Sequence, residues 1–192
     1  CYTQGCDRKI ESQVCLENAI LCYENAISLD SSYFYPYYQG AITSVYLEDK
    51  ESCYYFAFYA NKLQPTSLRG NYILAYYFNN FGSASQAINY YTKTINIANN
   101  SNETEHLDYF FLERAIAKSL FHTDFSADTD YKKCLEINPK NQNGLSEYGI
   151  FLHNRGHKKN ACIIWNKLKK INPSYNVPGL GELRSNLYKV CK

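Results

Sequence analysis

Residues 142–173, QNGLSEYGIFLHNRGHKKNACIIWNKLKKINP, contain two stretches with apolar residues at helical spacing, separated by a glycine. Gly149 and Ala161 stand where two packed helices would cross, and larger side chains there would push the helix axes beyond their usual separation of about 8–10 Å. Gly156 allows a tight turn between the helices. Pro173 ends the second helix because proline has no backbone N–H to donate. The stretch therefore predicts two short helices packed against each other.

Small residues recur along the chain in the same phase as Ala161, at intervals of 34, 34, 40 and 34 residues. They stand at Ala19, Cys53, Ala87, Ala127 and Ala161. One helical turn after each of them come Tyr23, Ala57, Tyr91, Tyr131 and Trp165. This regular spacing predicts an array of helix pairs, in which each pair buries its apolar face against the next.

The array is typical of the tetratricopeptide repeat, a helix-turn-helix unit of about 34 residues. We predict an all-α fold, a right-handed α-α superhelix of about four to five helix pairs with a C-terminal capping helix. The predicted helices are 10–29, 34–47, 50–63, 68–80, 84–97, 108–120, 124–137, 142–154 and 158–171. They form a single solenoid over 1–192, with a partial first repeat at 1–31, repeats at 34–65, 68–99, 108–139 and 142–173, and a linker and capping helix at 174–192. The interval of 40 residues is assigned to an inserted polar loop at 99–105, NNSNETE.

In such a superhelix the first helix of each repeat lines the concave wall with its second, fifth, ninth and twelfth residues. The candidate peptide-binding groove is therefore Tyr35, Tyr38, Ile42, Val45, Arg69, Tyr72, Tyr76, Asn79, Tyr109, Leu112 and Ile116. The last repeat supplies the less aromatic set Asn143, Ser146, Ile150 and His153. A tyrosine-rich apolar wall suits an extended peptide or an amphipathic helix. Tetratricopeptide co-chaperones that grip a C-terminal carboxylate need several converging cations, and Arg69 alone disfavours that function.

The sequence contains no H-E-x-x-H motif, no glycine-rich phosphate loop and no G-x-S-x-G motif. We therefore predict a binding protein that is not an enzyme and needs no cofactor. His153 and His157 have the spacing of two metal ligands on one helix face, but Gly156 places a turn between them. No metal site is predicted.

Eight cysteines are present and none forms a C-x-x-C pair, which disfavours zinc ribbons and thioredoxin-type redox sites. Several stand at repeat positions that require a small apolar residue, so buried thiols are the expected state. A disulfide among Cys6, Cys15 and Cys22 stays open and depends on an oxidising compartment.

The sequence starts at Cys1 without a methionine. This start is expected for a bacterial lipoprotein cleaved just before its acylated cysteine, and equally for a sequence that starts at a chosen boundary. Both alternatives stay open.

Charge is distributed unevenly along the chain. Residues 131–192 carry 12 basic and 3 acidic side chains, whereas residues 1–64 carry 4 and 8. A basic end could attract a nucleic acid or an anionic lipid, but Lys and Arg on the outer faces of solenoid helices more often serve solvation. Nucleic acid is therefore not an expected partner, although its binding stays a third hypothesis that salt dependence would test.

The segments RGNYILAYYFNNFGSASQAINYY at 69–91 and LSEYGIFLHNRGHKKNACIIW at 145–165, together with Cys1, resemble the outer-membrane lipoproteins that assist type IV pilus biogenesis, the pilotins of the pilus secretin. The resemblance implies that Cys1 carries a lipid and that the protein lies on the periplasmic face of the outer membrane. It also implies that the groove binds a secretin segment. The alternative is a general tetratricopeptide scaffold or adaptor that joins two proteins, either in the cytoplasm or as an exported effector.

Overall fold

The structure, a computed structural model, describes residues 9–101, 105–120 and 126–174, with side chains from residue 12 onward. Within these ranges the chain is helical and has no β-strand. The helices are α1 (Lys9–Leu29), α2 (Phe34–Tyr46), α3 (Lys50–Leu63), α4 (Leu68–Phe81), α5 (Ala84–Ser101), α6 (Leu107–Ser119), α7 (Ser126–Ile137), α8 (Gln142–Asn154) and α9 (Lys158–Ile171). The predicted all-α fold is confirmed, and the predicted helix ends agree closely everywhere except at the end of α5.

Successive helices pack as pairs, α2 with α3, α4 with α5, α6 with α7, and α8 with α9. The chain divides into two compact units, which we call unit 1 (Cys1–Thr104) and unit 2 (Glu105–Lys192). In unit 1, α1 packs on α2 and α3 packs on α4; in unit 2, α6 and α7 both pack on α8. The predicted single solenoid over 1–192 stays a prediction.

Polar side chains determine where three of the helices begin. Asp49, Ser67 and Asn141 each accept a hydrogen bond from the backbone N–H three residues later, at 3.0, 2.9 and 2.8 Å. Each bond satisfies one N–H group that the start of a helix leaves without a partner. Pro65 and Pro139 follow closely after the ends of α3 and α7. Local chemistry therefore sets the starts of α3, α4 and α8.

The predicted repeat phase is confirmed in the core. The small residues are buried, with Cys53, Ala87, Ala127 and Ala161 each 0% exposed. The residues one turn later are buried as well in α3, α5, α7 and α9, where they are Ala57, Tyr91, Tyr131 and Trp165. In α1 the equivalent Tyr23 is only half-buried. Among the described helices α1 packs mainly on α2, so much of its surface stays open.

Gly149 is required for a reason other than the predicted one. A Cβ atom at this position would collide with the indole ring of Trp165, so the ring, more than the backbone of α9, needs the space. The indole N–H of Trp165 also donates to the carbonyl of Ser146 at 3.4 Å. Gly156 forms the predicted turn with φ at +81°, in the left-handed region that favours glycine. The pair of α8 and α9 thus depends on two glycines with different roles.

The predicted loop at 99–105 is wrong in its first part, because residues 99–101 form the last turn of α5. The Ser101 hydroxyl donates to the carbonyl of Ile97 at 2.9 Å, and the polar side chains of this turn are exposed. A helix end can be wholly polar when it has nothing to bury. Residues 102–104 lie outside the described residues, as do the predicted first-repeat residues 1–8 and the predicted linker and capping helix beyond Ser174.

Buried thiols are confirmed at two of the repeat positions. Cys53 and Cys134 are each 0% exposed, and burial raises the pKa of both thiols to about 12. The Cys53 thiol donates to the carbonyl of Ala41 at 3.4 Å. Both cysteines act as small core residues and resist ionisation.

Two other cysteines differ from this pattern. Cys162 in α9 is half-buried and disulfide-bonded, so the expected buried thiol is wrong there. Cys15 in α1 is disulfide-bonded as well. The predicted set of Cys6, Cys15 and Cys22 includes Cys6, which lies outside the described residues.

Candidate functional site

Five predicted groove residues meet in unit 1, where α2 packs against α4. They are Tyr35, Tyr38, Arg69, Tyr72 and Tyr76, and we call this set the unit-1 aromatic face. Tyr35 and Arg69 are exposed, and the other three are half-buried. A ligand can reach all five without local unfolding.

Tyr35 and Arg69 connect the two helices at one end of this face. Nη1 of Arg69 donates to the hydroxyl of Tyr35 at 2.6 Å, and the guanidinium carbon lies 5.6 Å from the centre of the Tyr35 ring. A hydrogen bond and a cation–π contact thus act on the same arginine. They hold one positive charge in a defined place on the surface.

The other tyrosines continue the face as a row of rings. The ring centres of Tyr38 and Tyr72 lie 6.5 Å apart, and those of Tyr72 and Tyr76 lie 5.9 Å apart. Tyr38 also stacks on Phe34 at 5.6 Å. Burial raises the pKa of Tyr38, so its hydroxyl stays protonated and able to donate. The rings support one another, which limits their freedom before any ligand binds.

The remaining predicted residues of unit 1 are Ile42, Val45 and Asn79, and all three are half-buried. Ile42 and Val45 pack against the core cluster of the unit. They support the face from below and present only part of their surface.

In unit 2 the predicted groove residues divide into two groups. Tyr109 and Ile116 are half-buried, as a binding surface requires. Leu112 is 2% exposed and belongs to the core cluster, which corrects its prediction as a groove residue. Ser146, at the same fifth position of α8, is also buried. Tyrosines at this position in α2 and α4 have side chains long enough to reach the surface, whereas leucine and serine do not.

Sequence reasoning missed two glutamates that lie beside these buried positions, Glu113 on α6 and Glu147 on α8. Burial raises the pKa of Glu113 to about 7, opposed by a hydrogen bond from Tyr109 and reinforced by the charge of Glu147. Burial raises the pKa of Glu147 as well. The two occupy the same register, since 147 minus 113 is 34, the common repeat interval. That recurrence was the signal that could have identified them.

A cavity of about 350 Å³ opens beside Glu147 in unit 2. Its lining includes Ser119, Tyr131, Ile150 and Asn154, so that polar and apolar groups alternate around it. Cavities of about 300–1,000 Å³ are the size that accommodates ligands. The volume here is enough for one or two side chains.

No family model and no curated protein sequence matches the chain. Solved structures do match it. MamA superimposes with a TM-score of 0.69 at 14% identity, covering 90% of this chain and 97% of that one. YrrB, described as a tetratricopeptide protein with an unusual peptide-binding site, gives 0.64 at 17%, covering 86% and 82%. TTC0263, a thermophilic tetratricopeptide protein of Thermus thermophilus, gives 0.64 at 14%, covering 95% and 93%.

This chain has the tetratricopeptide-repeat fold. The predicted fold class, an α-α superhelix of tetratricopeptide repeats, agrees with the described helices and with these neighbours. At such low identities the likeness establishes the fold, and any function has to be argued from this chain's own residues. In a tetratricopeptide fold α2, α4, α6 and α8 are the first helices of their pairs, which is the register used to predict the groove.

The tetratricopeptide pairing also separates the two histidines. His153 lies in the last turn of α8, and His157 stands at the N-cap position of α9. The ring of His153 packs on Trp165 at 5.8 Å. In the described ranges no group of three or more His, Cys, Asp or Glu side chains is placed to hold a metal ion.

None of the helices within the described residues combines the length and apolar character that crossing a membrane requires. Cys1, the predicted lipid attachment site, lies outside the described residues. Lipidation therefore stays a prediction.

Proposed function

We propose that this protein is a non-catalytic scaffold that binds a segment of a partner protein on the unit-1 aromatic face. The observation that carries the proposal is the row of accessible tyrosines that ends at the Tyr35–Arg69 contact. Tyrosine and arginine are among the residues most enriched at the energetic centres of protein interfaces. Here both occur on one face of two adjacent helices.

The chemistry of this face indicates the kind of segment it would bind. Tyrosine rings bury apolar side chains, while their hydroxyl groups bind the peptide backbone. Arg69 is the one cation among the predicted unit-1 groove residues and adds a place for a carboxylate or a backbone carbonyl. An extended or helical segment with apolar side chains and a carboxylate near one end fits this arrangement. YrrB, one of the structural neighbours, is described as having a peptide-binding site, which supports a peptide ligand here.

The experiment compares two double variants in binding to a peptide selected from a random display library against the wild-type chain. Tyr38→Ala with Tyr72→Ala should reduce affinity at least about 100-fold, because both rings of the central contact are removed. Tyr46→Ala with Phe58→Ala removes two exposed rings outside the face and should leave affinity within about twofold. Helical content by circular dichroism should be the same in all three chains. Equal affinity for the two double variants would contradict the proposal.

The resemblance to pilus lipoproteins suggests a narrower version, in which the bound segment belongs to an outer-membrane secretin and Cys1 carries the lipid. Its support is the likeness of the repeat segments 69–91 and 145–165 to those lipoproteins. The three structural neighbours above are not described as pilotins. A secretin-derived peptide that binds the wild-type chain but not Tyr38→Ala with Tyr72→Ala would support this version. Binding to unrelated library peptides but to no secretin peptide would leave the general adaptor.

A further inference from the structure

A second surface lies in unit 2, between α7 and α9, where α8 forms its floor. A cavity of about 400 Å³ opens here, and its lining includes Phe151, Leu152, Ile163 and Ile164. The helices α7 and α9 both pack on α8, and the groove lies between them. We name it the α7–α9 groove. None of the predicted groove residues lines it.

The floor and one wall of this groove are apolar and partly open. Ile163 is 56% exposed although it stands in the middle of α9. Phe151 is buried, and the guanidinium of Arg155 lies 5.1 Å above its ring. An exposed branched aliphatic side chain at the edge of a cavity is typical of a place where a partner inserts an apolar side chain.

The rim of the groove is cationic. Lys132, Arg155 and His157 line the cavity, and the hollow next to it adds Lys158 and Lys159. The helix α9 contains five lysines and no acidic residue. The groove thus combines an apolar floor with a positive edge.

One carboxylate lines the groove, and it is already used within the protein. Asp128 accepts the hydroxyl of Tyr148 at 2.7 Å and lies 2.6 Å from the ammonium group of Lys132. Its charge therefore balances that of Lys132. The remaining cations of the rim, on Arg155 and the two lysines at the start of α9, give the groove a net positive charge.

We propose that the α7–α9 groove binds an acidic peptide segment that carries an apolar side chain between its carboxylates. The apolar side chain would insert beside Ile163 over Phe151, and the flanking carboxylates would lie near Arg155 and Lys158. Charge complementarity selects the sign of the partner, and the cavity selects a side chain over a flat surface. A nucleic acid would match the charge, but the aliphatic floor offers it no ring on which a base could stack.

The test uses the full chain and a fluorescein-labelled peptide, EDLFDELE. Two matched peptides separate the contributions: QNLFNQLQ keeps the apolar residues without the charge, and EDGSDEGE keeps the charge without them. We expect EDLFDELE to bind with a Kd on the order of 10–100 µM, and each matched peptide to bind at least about tenfold more weakly. Equal binding of EDGSDEGE would show a purely electrostatic contact and overturn the proposal.

Variants of α9 locate the site. Ile163→Asp should weaken EDLFDELE about tenfold or more, whereas Ile171→Asp, on the same helix but outside the cavity lining, should change it less than about twofold. Ile163 is already exposed, so its replacement leaves the core intact. The pair Lys158→Glu with Lys159→Glu should weaken binding more than Lys169→Glu with Lys170→Glu. Equal effects within either pair of variants would overturn the proposal.

Two further measurements distinguish this groove from the unit-1 aromatic face and an acidic peptide from other anions. Tyr38→Ala with Tyr72→Ala should bind EDLFDELE as the wild type does; loss of binding there would place the peptide on the unit-1 aromatic face and overturn this inference alone. A short single-stranded oligonucleotide and vesicles containing phosphatidylglycerol should bind independently of Ile163. If either binds more tightly than EDLFDELE and loses that binding in Ile163→Asp, the groove recognises an anion of another class and the proposal is overturned.

Discussion

Arg114 and Asp130 form a bidentate ion pair inside unit 2, with Nε to Oδ2 at 2.8 Å and Nη2 to Oδ1 at 2.7 Å. The ammonium group of Lys118 lies 2.9 Å from the same carboxylate. Asp130 is 2% exposed, so this contact between α6 and α7 is shielded from water. One carboxylate therefore balances two cations in a place where neither cation is well solvated.

Asp130→Asn should lower the free energy of unfolding by about 3–5 kcal/mol, because it leaves two poorly solvated cations without their counter-charge. Urea unfolding followed by circular dichroism measures the change. Asp128→Asn is the matched control: its carboxylate pairs with Lys132 nearer the surface, and the loss should stay near about 1 kcal/mol. A loss at Asp130 no larger than at Asp128 would argue against this ion pair as a structural element.

Gly149→Ala should destabilise the chain by about 1–3 kcal/mol, because the new methyl group overlaps the indole ring of Trp165. The cost should fall sharply when Trp165→Leu is present, since a smaller side chain leaves room for the methyl group. Gly156→Ala should cost about 1 kcal/mol in either background, because its cost comes from the positive φ. A double-mutant cycle by thermal or urea unfolding distinguishes the two. Additive effects at Gly149 and Trp165 would count against the steric explanation.

The stability of unit 2 should decrease as the pH rises through the titration range of Glu113. Burial raises the pKa of this folded-state carboxyl to about 7, above its unfolded value, so the folded chain retains a proton that the unfolded chain releases. Stability is therefore fully present below the unfolded pKa and is lost as the pH approaches about 7. Glu113→Gln should remove this slope and be more stable than the wild type by roughly 1–2 kcal/mol at about pH 8.

The control for this titration is Glu136→Gln, which replaces an exposed glutamate that pairs with Lys133 on α7. It should leave the slope of stability against pH unchanged. The measurement is urea unfolding at several pH values between about 5 and 8. A wild-type slope that persists in Glu113→Gln would assign the effect to another group.

Tyr35→Phe removes the hydroxyl that accepts from Arg69 and retains the ring beneath the guanidinium. Stability should change by less than about 1 kcal/mol, because the contact is exposed. Affinity for a peptide selected on the unit-1 aromatic face should fall about three- to tenfold, because Arg69 is then no longer held in place before binding. Isothermal titration calorimetry measures the affinity. Unchanged affinity would mean that Arg69 lies outside the contact.

The sequence predicted the repeat phase well because the constraint is local. A small residue at each helix crossing and a larger one a turn later follow from helix geometry, and Ala87 and Tyr91 are both fully buried as this register requires. The end of α5 was not predictable in the same way. Its last turn buries no residue after Ala98, so no apolar periodicity marks Asn99 to Ser101 as helical.

The binding surface was predicted less completely, because exposure depends on the neighbouring helices. Positions in one register are half-open at Tyr38 and closed at Leu112. The raised pKa of Glu113 likewise depends on burial by helices distant in sequence. The cavity that Ile163 lines also has contributions from three helices, and no spacing within α9 indicates it.

Cys53 lies in unit 1 and Cys134 in unit 2, and each thiol is sealed in its core. An alkylating reagent can reach such a sulfur only when the helices around it separate, so the speed of labelling records how often each unit opens. In a Cys22→Ser background, mass spectrometry can follow the labelled Cys53 and Cys134 peptides separately in one sample. The chain thus carries two natural clocks that time the opening of its two units independently.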